Sequence, residues 1–336
     1  MKRFKVLLAL LMFVVLILSF TTSCKKQEEK KPIFKLATVM PGSIQDADYN
    51  TIGYIATQEV GKEFGIDVAY SEKVAVPDAE RVIKEYIADG YNIIWVHGGQ
   101  FNSAALKVAD ENPNVTLIVE VDAKPQDMKP NVWYFHRNFH TGFYILGALA
   151  ALKTETGKIG YIGGLEMPFT YGEINAVKQA LKDLGSKATL EYVYAGDFND
   201  PLKARQAAES LIAKGVDVIL SSVNLGNYGI YNALAEAKRP VYITVKYTDK
   251  STQAPQNYLT ADLFDFRVPL REVVSRVLKG EKGGFLMLEY GEGKARYTQF
   301  PIKNVSEEIN NKVKQIADDV ASGKIQVIQK LDAINP

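Results

Sequence analysis

The chain has 336 residues, of which 47% are hydrophobic and 24% are charged, with 40 Lys and Arg against 39 Asp and Glu. At about 150 residues per domain this length allows two domains with ordinary cores, and the composition disfavours a disordered chain, a coiled coil or a multispan membrane protein. A formal net charge of +1 offers no basic excess for nucleic acid, so we expect no DNA or RNA partner. The chain has one cysteine, Cys24, which excludes an internal disulfide and a cysteine-based zinc site.

The amino terminus has the pattern of an export signal. Three of the first five residues are basic, and the run 6–18 that follows is apolar and uncharged. At ~1.5 Å per residue a helix over that run spans only about 20 Å, which is less than the hydrocarbon core of a bilayer. Small residues then precede Cys24, as in the bacterial lipobox, although Thr21 stands where Leu is usual.

We therefore predict a signal peptide over residues 1–23 and lipidation of Cys24. The segment 24–32 is polar and charged, without apolar periodicity, and is predicted to be a solvated tether between the lipid and the folded body. The alternatives are an ordinary secreted protein or an uncleaved anchor, each with a free thiol.

From Ile33 onward, short β-branched runs alternate with amphipathic stretches, which predicts parallel strands joined by crossover helices. In the first half the strands are predicted at 34–40, 66–71, 92–96, 115–121 and 132–135. The helices are predicted at about 49–64, from 78 to 90, and at 103–111.

The second half repeats this alternation. Its strands are predicted at 158–162, 190–194, 217–221 and 240–245, and its helices at 171–184, 201–214 and 227–237. After Tyr258 we predict a strand at 259–263, a helix at 268–278, a β pair across 291–293 and a helix at 306–322.

The fold class is therefore α/β, with two Rossmann-like lobes whose parallel sheets are joined by a multi-strand hinge. We expect residues 33–137 with about 262–292 in lobe 1, and residues 138–261 with about 293–336 in lobe 2. A hinged cleft between two lobes is a place to enclose a small ligand.

Signatures of enzymes are mostly absent from the chain. The sequence has no GxSxG, HExxH, GxxxxGK[ST] or GxGxxG motif. His136 and His140 have metal-ligand spacing, but a strand is predicted to run into the first and a helix to begin near the second, so a metal site is disfavoured. We expect no cofactor and no metal.

Ligands of open parallel sheets bind at the carboxyl ends of the strands, so the residues that follow each strand are candidates. In the first half these residues are Asp46, Tyr49, Asn50, Phe101 and Asp122. Aspartate accepts hydrogen bonds, an amide both donates and accepts, and an aromatic ring stacks. Helix capping by Asp46 and core packing of Tyr49 are the structural alternatives.

The second half supplies a facing set, namely Phe169, Asn175, Asn224, Tyr247, Asp249 and Phe264. Aromatic rings from two lobes can hold a planar base, at about 1 to 3 kcal/mol per stack, while Asp and Asn contact its edge or a ribose. Core or hinge packing is the alternative for each single aromatic residue.

Several segments resemble the basic membrane protein family, whose members are substrate-binding lipoproteins of nucleoside and purine ABC transporters. The resemblance rests on residues 42–50, 142–151, 160–164 and 196–215, and it extends over nearly the whole chain after Ile33. It implies the type 1 periplasmic binding protein fold and a purine nucleoside or free purine base held between the lobes.

The resemblance also implies roles for individual residues. An aromatic residue at the position of Tyr49 stacks on the base, Asn50 contacts it, and acidic residues at positions like Asp122 and Asp249 contact base or ribose. Two segments depart from the nucleoside-binding members: 244–250 (TVKYTDK) replaces a loop with an acidic pair, and Phe264 or Asp265 replaces a lysine. The segment 172–175 (GEIN) is similar to adenine-type members, which is consistent with a free base or an unusual nucleoside.

The resemblance thus implies a non-enzymatic, lipid-anchored receptor outside the cytoplasm that delivers its ligand to an ABC permease and ATPase. We expect a monomer. Two alternatives remain open: a sugar or signalling-furanose receptor of the same fold, and a purine-processing hydrolase with Asp46 or Asp122 as base. A surface sensor that passes its ligand to a membrane partner is a further reading.

Overall fold

The computed structural model describes residues 33–334, so the predicted signal peptide, Cys24 and the tether lie outside the described residues. The described chain contains nine α-helices and twelve strands, and the strands form two six-stranded sheets. None of the helices in 33–334 has both the length and the apolar character needed to cross a membrane.

The elements of the first half alternate strand and helix. They are β1 Lys35–Val39, α1 Tyr49–Phe64, β2 Asp67–Ser71, α2 Ala79–Ala88, β3 Ile93–Val96, α3 Asn102–Glu111, β4 Thr116–Val121 and β5 Val132–His136. Short 3-10 turns precede α2 and α3.

The second half continues the alternation. Its elements are α4 Phe139–Lys153, β6 Lys158–Gly163, α5 Pro168–Asp183, β7 Thr189–Tyr194, α6 Pro201–Ala213, β8 Val218–Ser222, α7 Asn227–Ala235, β9 Tyr242–Tyr247, β10 Tyr258–Phe264, α8 Arg267–Leu278, β11 Gly284–Met287, β12 Arg296–Thr298 and α9 Glu307–Ala321.

Each half of the chain supplies most of one sheet. The first sheet has the order β11-β5-β4-β3-β1-β2, and all its neighbouring pairs are parallel. The second has the order β12-β10-β9-β8-β6-β7 and is parallel except for β12. We call each sheet with its flanking helices a lobe.

Helices cover both faces of each sheet, which explains why the strands are almost continuously apolar. In the first sheet, Ile93 and Trp95 pack with residues of α1 and α8, whereas Ile94 and Val96 pack with residues of α2 and α3. In the second sheet, α4, α5 and α9 contribute to the core on one face, and α6 and α7 to the core on the other.

The chain passes between the lobes three times: after β5, after β10 and between β11 and β12. Arg296 anchors this region, because it is fully buried, pairs with Asp262 and donates to the backbone carbonyl oxygens of Arg137 and Asn138. Three crossings side by side form a hinge, since each can turn while the sheets stay intact.

The predicted α/β fold with two mostly parallel sheets is confirmed. One element differs: the strands on either side of 291–293 do not form a hairpin. β11 pairs with β5 in the first sheet, whereas β12 pairs with β10 in the second, and a single bridge joins Tyr290 to Arg296. Here the turn glycines mark a crossing between lobes, which the local sequence does not distinguish from a hairpin.

Candidate functional site

A cavity of about 260 Å³ lies where the strands of both lobes end. Its wall contains polar and aromatic side chains from each lobe. The first lobe and its hinge crossing contribute Tyr49, Asn50, Gln100 and Arg137, and the second contributes Phe169, Asp197, Phe198, Asn199, Asn224 and Tyr247. This is the location expected for a ligand of parallel α/β sheets.

Tyr49 begins α1, and its ring is held from two directions. The ring stacks on His97, with centroids 3.8 Å apart and planes 16° from parallel. Its hydroxyl donates to Glu120 at the end of β4. The ring is therefore fixed at the cavity wall before any ligand enters, so a stacking ligand has little side-chain entropy to remove.

Glu120 and His97 form a hydrogen-bonded pair with no solvent exposure. His97 Nε2 lies 2.8 Å from the carbonyl oxygen of Tyr49, which only accepts, so Nε2 carries a proton. His97 Nδ1 lies 2.5 Å from Glu120 Oε1. Burial alone raises the pKa of the Glu120 carboxyl, but His97, Arg137 and the Tyr49 hydroxyl together hold that pKa below its ordinary value.

Arg137 follows β5 and brings a cation to the cavity. Its Nε and Nη2 donate to Asp122 Oδ1 at 3.0 and 2.5 Å. The guanidinium carbon lies 4.7 Å from the ring centre of Phe139 and 5.0 Å from that of Phe169. The carboxylate and two ring faces thus fix the guanidinium in one orientation.

The second lobe supplies the opposing rings. Phe169 and Phe198 have nearly parallel planes, 19° apart, with ring centres separated by 6.2 Å. The backbone of Tyr247 is left-handed, with φ of 71°, which is rare for a residue with a side chain. This conformation ends β9 and accompanies placement of the Tyr247 ring at the cavity rather than along the strand.

A buried ion pair of Lys246 and Glu173 lies in the second lobe next to the cavity. Lys246 Nζ donates to Glu173 Oε1 at 2.6 Å, and the Tyr161 hydroxyl donates to Glu173 Oε2 at 2.6 Å. Lys246 Nζ also lies 3.8 Å from the ring centre of Phe139. Burial lowers the pKa of Lys246, and the attraction of Glu173 opposes that shift.

Polar contacts connect the two lobes at the edge of the cleft. Lys250 of the second lobe forms a buried ion pair with Asp48 of the first. Thr248 Oγ1 donates to the carbonyl oxygen of Ala47 at 2.7 Å and lies 3.3 Å from Asp48 Oδ1. We call these four residues the latch; it joins the lobes in the conformation observed.

Five of the predicted ligand-binding residues come together at this cavity: Tyr49, Asn50, Phe169, Asn224 and Tyr247. They derive from four different strand ends, that of β1 in the first lobe and those of β6, β8 and β9 in the second. The binding role of these residues stays a prediction, which the experiments below address.

Three predicted residues lie elsewhere for clear reasons. Asp46 accepts five hydrogen bonds from the start of α1, including the backbone amides of Asn50 and Thr51, so its carboxylate caps the helix. Phe101 is fully buried in the core against α2 and α3. Asn175 lies on the side of α5 that faces the carboxyl-terminal segment, where its amide donates to the Lys330 carbonyl.

The other three lie near the cleft without lining the cavity. Asp122 holds Arg137 in place. Phe264 packs against Tyr247, with ring centres 5.1 Å apart, and therefore acts from behind the wall. Asp249 is exposed, and its carboxylate accepts the backbone amide of Ser251.

Sequence reasoning missed Glu120, Arg137 and the latch lysine, Lys250. Glu120 carried a signal, because a charged residue inside the apolar strand TLIVEV has to find a buried partner. Arg137 directly follows a strand and belongs to the same class of candidates as the residues chosen. Lys250 carried no local signal, since its partner Asp48 lies about 200 positions away in the chain.

A larger and more open cavity of about 740 Å³ lies beside the hinge, and both His136 and His140 line it. It is bordered by the hinge crossings, the carboxyl-terminal segment and the ends of β5 and β11 in the first sheet. The smaller cavity joins strand ends of both lobes, so we take it as the candidate ligand site. Within residues 33–334 no three His, Cys, Asp or Glu side chains are grouped to hold a metal.

Two lobes with parallel sheets, a three-segment hinge and a cavity at the facing strand ends define a bilobal solute-binding protein. The chain belongs to the Bmp family, described as ABC transporter substrate-binding protein PnrA-like, whose model matches residues 33–330.

Relatives align over most of their length. Basic membrane protein A2 of Borrelia garinii subsp. bavariensis is 27% identical, with 96% of this chain and 95% of that protein covered. The CD4+ T-cell-stimulating antigen of Listeria monocytogenes is 25% identical, with 86% of each chain covered.

Solved structures share the fold. A solute-binding protein of an ABC transporter system from Conexibacter woesei has a TM-score of 0.70 at 23% identity, covering 88% of this chain and 99% of that one. A transcriptional activator of the comK gene from Bacillus halodurans has a TM-score of 0.71 at 18% identity, covering 86% and 98%.

Membership in this family determines the general activity. The protein is a non-enzymatic, extracytoplasmic substrate-binding component of an ABC transport system, which removes the hydrolase alternative. A small-molecule ligand and permease and ATPase partners follow from the same membership.

Proposed function

We propose that the protein captures a purine base or purine nucleoside in the cleft and delivers it to an ABC permease. The observation that carries this proposal is the cavity wall itself, in which aromatic rings of both lobes and the amides of Asn50 and Asn224 surround one small space. Rings bind the faces of a flat heterocycle, and amides recognise its edge because they donate and accept.

The size of the cavity favours the smaller of these ligands. Its volume of about 260 Å³ is slightly below the ~300–1,000 Å³ of most small-molecule sites. The latch already joins the lobes, so the cavity has little room for a larger ligand in this arrangement of the lobes. A free base fits this space better than a nucleoside does.

The proposal includes attachment to the membrane through a lipid on Cys24. The apolar run 6–18 and the small residues before Cys24 support export and acylation, and the polar composition of segment 24–32 supports a solvated tether. Mass spectrometry of the amino-terminal peptide tests this part, with an acylated Cys24 expected and an unmodified thiol contradicting it.

Calorimetry with the full chain in detergent tests the ligand class. We expect micromolar or tighter binding of at least one purine and no heat with a panel of hexoses and pentoses. Phe169→Leu and Phe198→Leu remove ring faces at the cavity and should weaken purine binding by about 5- to 150-fold each, from ~1–3 kcal/mol per stack.

Tyr70→Leu is the matched control, because Tyr70 is 38% exposed and lies on the edge strand β2 away from the cavity. It should leave the affinity unchanged. Binding of sugars in place of purines, or equal effects of the cavity and control variants, would contradict the proposed ligand.

A further inference from the structure

Arg137 is the only arginine or lysine in the wall of the cavity within the described chain. Its side chain is 94% buried. Because an arginine keeps its charge at all physiological pH values, every ligand in this cavity is enclosed with a permanent cation that donates and never accepts.

The orientation of this guanidinium is fixed by the protein. Two of its nitrogens, Nε and Nη2, donate to Asp122, and its central carbon lies 4.7 and 5.0 Å from the ring centres of Phe139 and Phe169. The group therefore does not have to be ordered when a ligand arrives, and it cannot rotate away without breaking these contacts.

The third nitrogen, Nη1, has no acceptor among residues 33–334. Nη1 keeps some accessibility in the structure, and Arg137 lines the cavity. Once a ligand covers it, an N–H group that finds no acceptor costs about 1 to 3 kcal/mol. Nη1 is thus left to a ligand that presents an acceptor, and a ligand that presents a donor there is penalised.

Purines differ in the hydrogen-bonding group that they carry at C6. A 6-oxopurine has two acceptors, O6 and N7, on one edge, the edge that arginine recognises in guanine. A 6-aminopurine replaces O6 by an amino group, whose N–H bonds face the arginine donors. We infer that Arg137 makes the cleft selective for 6-oxopurines, the hypoxanthine, guanine and xanthine type, over 6-aminopurines.

Asp197 adds an acceptor to the same cavity. One of its oxygens accepts the backbone amide of Asn199 at 2.7 Å, and the other has no partner in the described chain. A 6-oxopurine carries a proton on N1, whereas N1 of a 6-aminopurine accepts. A cavity with both a fixed donor and an available carboxylate therefore complements the 6-oxopurine on both sides of C6.

The inference rests on the proposed function, since it concerns which purine the cleft prefers. Calorimetry with the full chain in detergent compares hypoxanthine, unsubstituted purine and adenine, which have an acceptor, nothing and a donor at C6. We expect affinity to fall in that order, with hypoxanthine about 5- to 150-fold tighter than adenine, the range for a good bidentate arginine contact.

Two variants of Arg137 link the preference to this residue. Arg137→Met removes every donor and should bring the ratio of adenine to hypoxanthine dissociation constants to within about twofold of one. Arg137→Lys keeps the charge beside Asp122 but loses the fork, and should reduce the ratio while still binding purine. Arg81→Met, at an exposed site on α2, is the control and should keep the full ratio.

The possible outcomes separate the preference for 6-oxopurines from purine binding itself. Purine binding with adenine equal to or tighter than hypoxanthine overturns the inference and leaves the proposed function intact. A wild-type preference that persists in Arg137→Lys and Arg137→Met also overturns it. Absence of binding by all three purines and by their ribonucleosides overturns the proposed function. The ligand series needs no variant, so it decides the question even where a variant does not fold.

Discussion

At the scale of single residues, the cavity is organised by charges that lie just outside it. Glu120 accepts a hydrogen bond from the Tyr49 hydroxyl and contacts His97, and Asp122 forms an ion pair with Arg137. Neither carboxylate lines the cavity. The Tyr49 ring and the Arg137 guanidinium, which face the cavity, are thus oriented by carboxylates that do not line it. Such supporting contacts make a binding site rigid before its ligand arrives.

Glu120→Gln tests the first of these arrangements. We expect a loss of about 1 to 3 kcal/mol in the free energy of unfolding, because the change removes a fully buried carboxylate that accepts from the Tyr49 hydroxyl and contacts His97 Nδ1. Urea denaturation measures this loss. A loss below about 0.5 kcal/mol, the size of an ordinary surface substitution, would contradict the role of the pair.

The effect of Glu120 should also depend on pH. Its pKa is lowered in the folded protein, so its contribution is present above its unfolded value of 4.5 and disappears as pH falls through the folded pKa. The difference between wild type and Glu120→Gln should therefore shrink below pH 4.5.

The buried pair of Lys246 and Glu173 gives a second residue-scale prediction. Lys246→Met leaves the Glu173 carboxylate buried without a cation and should cost about 3 to 5 kcal/mol of unfolding free energy. The double change Lys246→Met with Glu173→Gln removes both charges and should recover a large part of this loss. Urea denaturation of the four proteins in this cycle measures the coupling, and strict additivity would show that the two residues act independently.

At the scale of elements, the loop before α1 and the loop after β9 are connected by the latch. Burial raises the pKa of Asp48 from 3.8 to about 7, and the attraction of Lys250 only partly opposes this; neighbouring Asp46 adds to the rise. Asp48 is buried by contacts from both lobes, so opening the cleft exposes it and returns its pKa toward the ordinary value.

The latch makes closure depend on pH. Between pH 3.8 and about 7 the closed form holds more protons at Asp48 than the open form, so closure and ligand affinity should increase as pH falls through this window. The limit for one linked proton is about tenfold in affinity per pH unit. Titration calorimetry at several pH values measures it, and Asp48→Asn should flatten the dependence; an affinity that rises with pH would contradict the sign.

Thr248→Val tests the latch without changing a charge. It removes the hydrogen bond to Ala47 and the one that Thr248 Oγ1 accepts from Lys250 Nζ at 2.7 Å, while nearly keeping side-chain volume. A net ~1 kcal/mol for each of the two hydrogen bonds predicts an affinity lower by about 30-fold, measured by calorimetry. Thr189→Val on β7, which is exposed, is the matched control and should not change affinity.

At the scale of the whole molecule, three crossings leave the lobes free to separate as rigid bodies. The chain from residue 33 should have a radius of gyration near ~20 Å when closed, as expected for a compact protein of this length. Small-angle scattering should show a larger radius without ligand and contraction when a purine is added. An identical radius in both states would mean that the cleft does not open.

The amino-acid sequence was sufficient for the fold class and for most element positions. Helix α1 begins and ends where its pattern predicts, and β3 and β4 are recognisable because strands buried on both faces are continuously apolar. Such signals are local, since a period of two or 3.6 residues depends only on neighbours in the chain. The strand-end rule alone also located Tyr49, Asn50, Phe169, Asn224 and Tyr247 at one cavity.

The local sequence pattern did not show which side chains pair with each other. Asp46 and Asp48 are two positions apart in one loop, yet the first caps a helix and the second pairs with a lysine of the other lobe. Asn175 and Glu173 lie on the same helix, but only Glu173 faces the buried Lys246. Long-range electrostatic pairing and the direction of a side chain depend on how distant segments pack, so the tertiary structure alone assigns these roles.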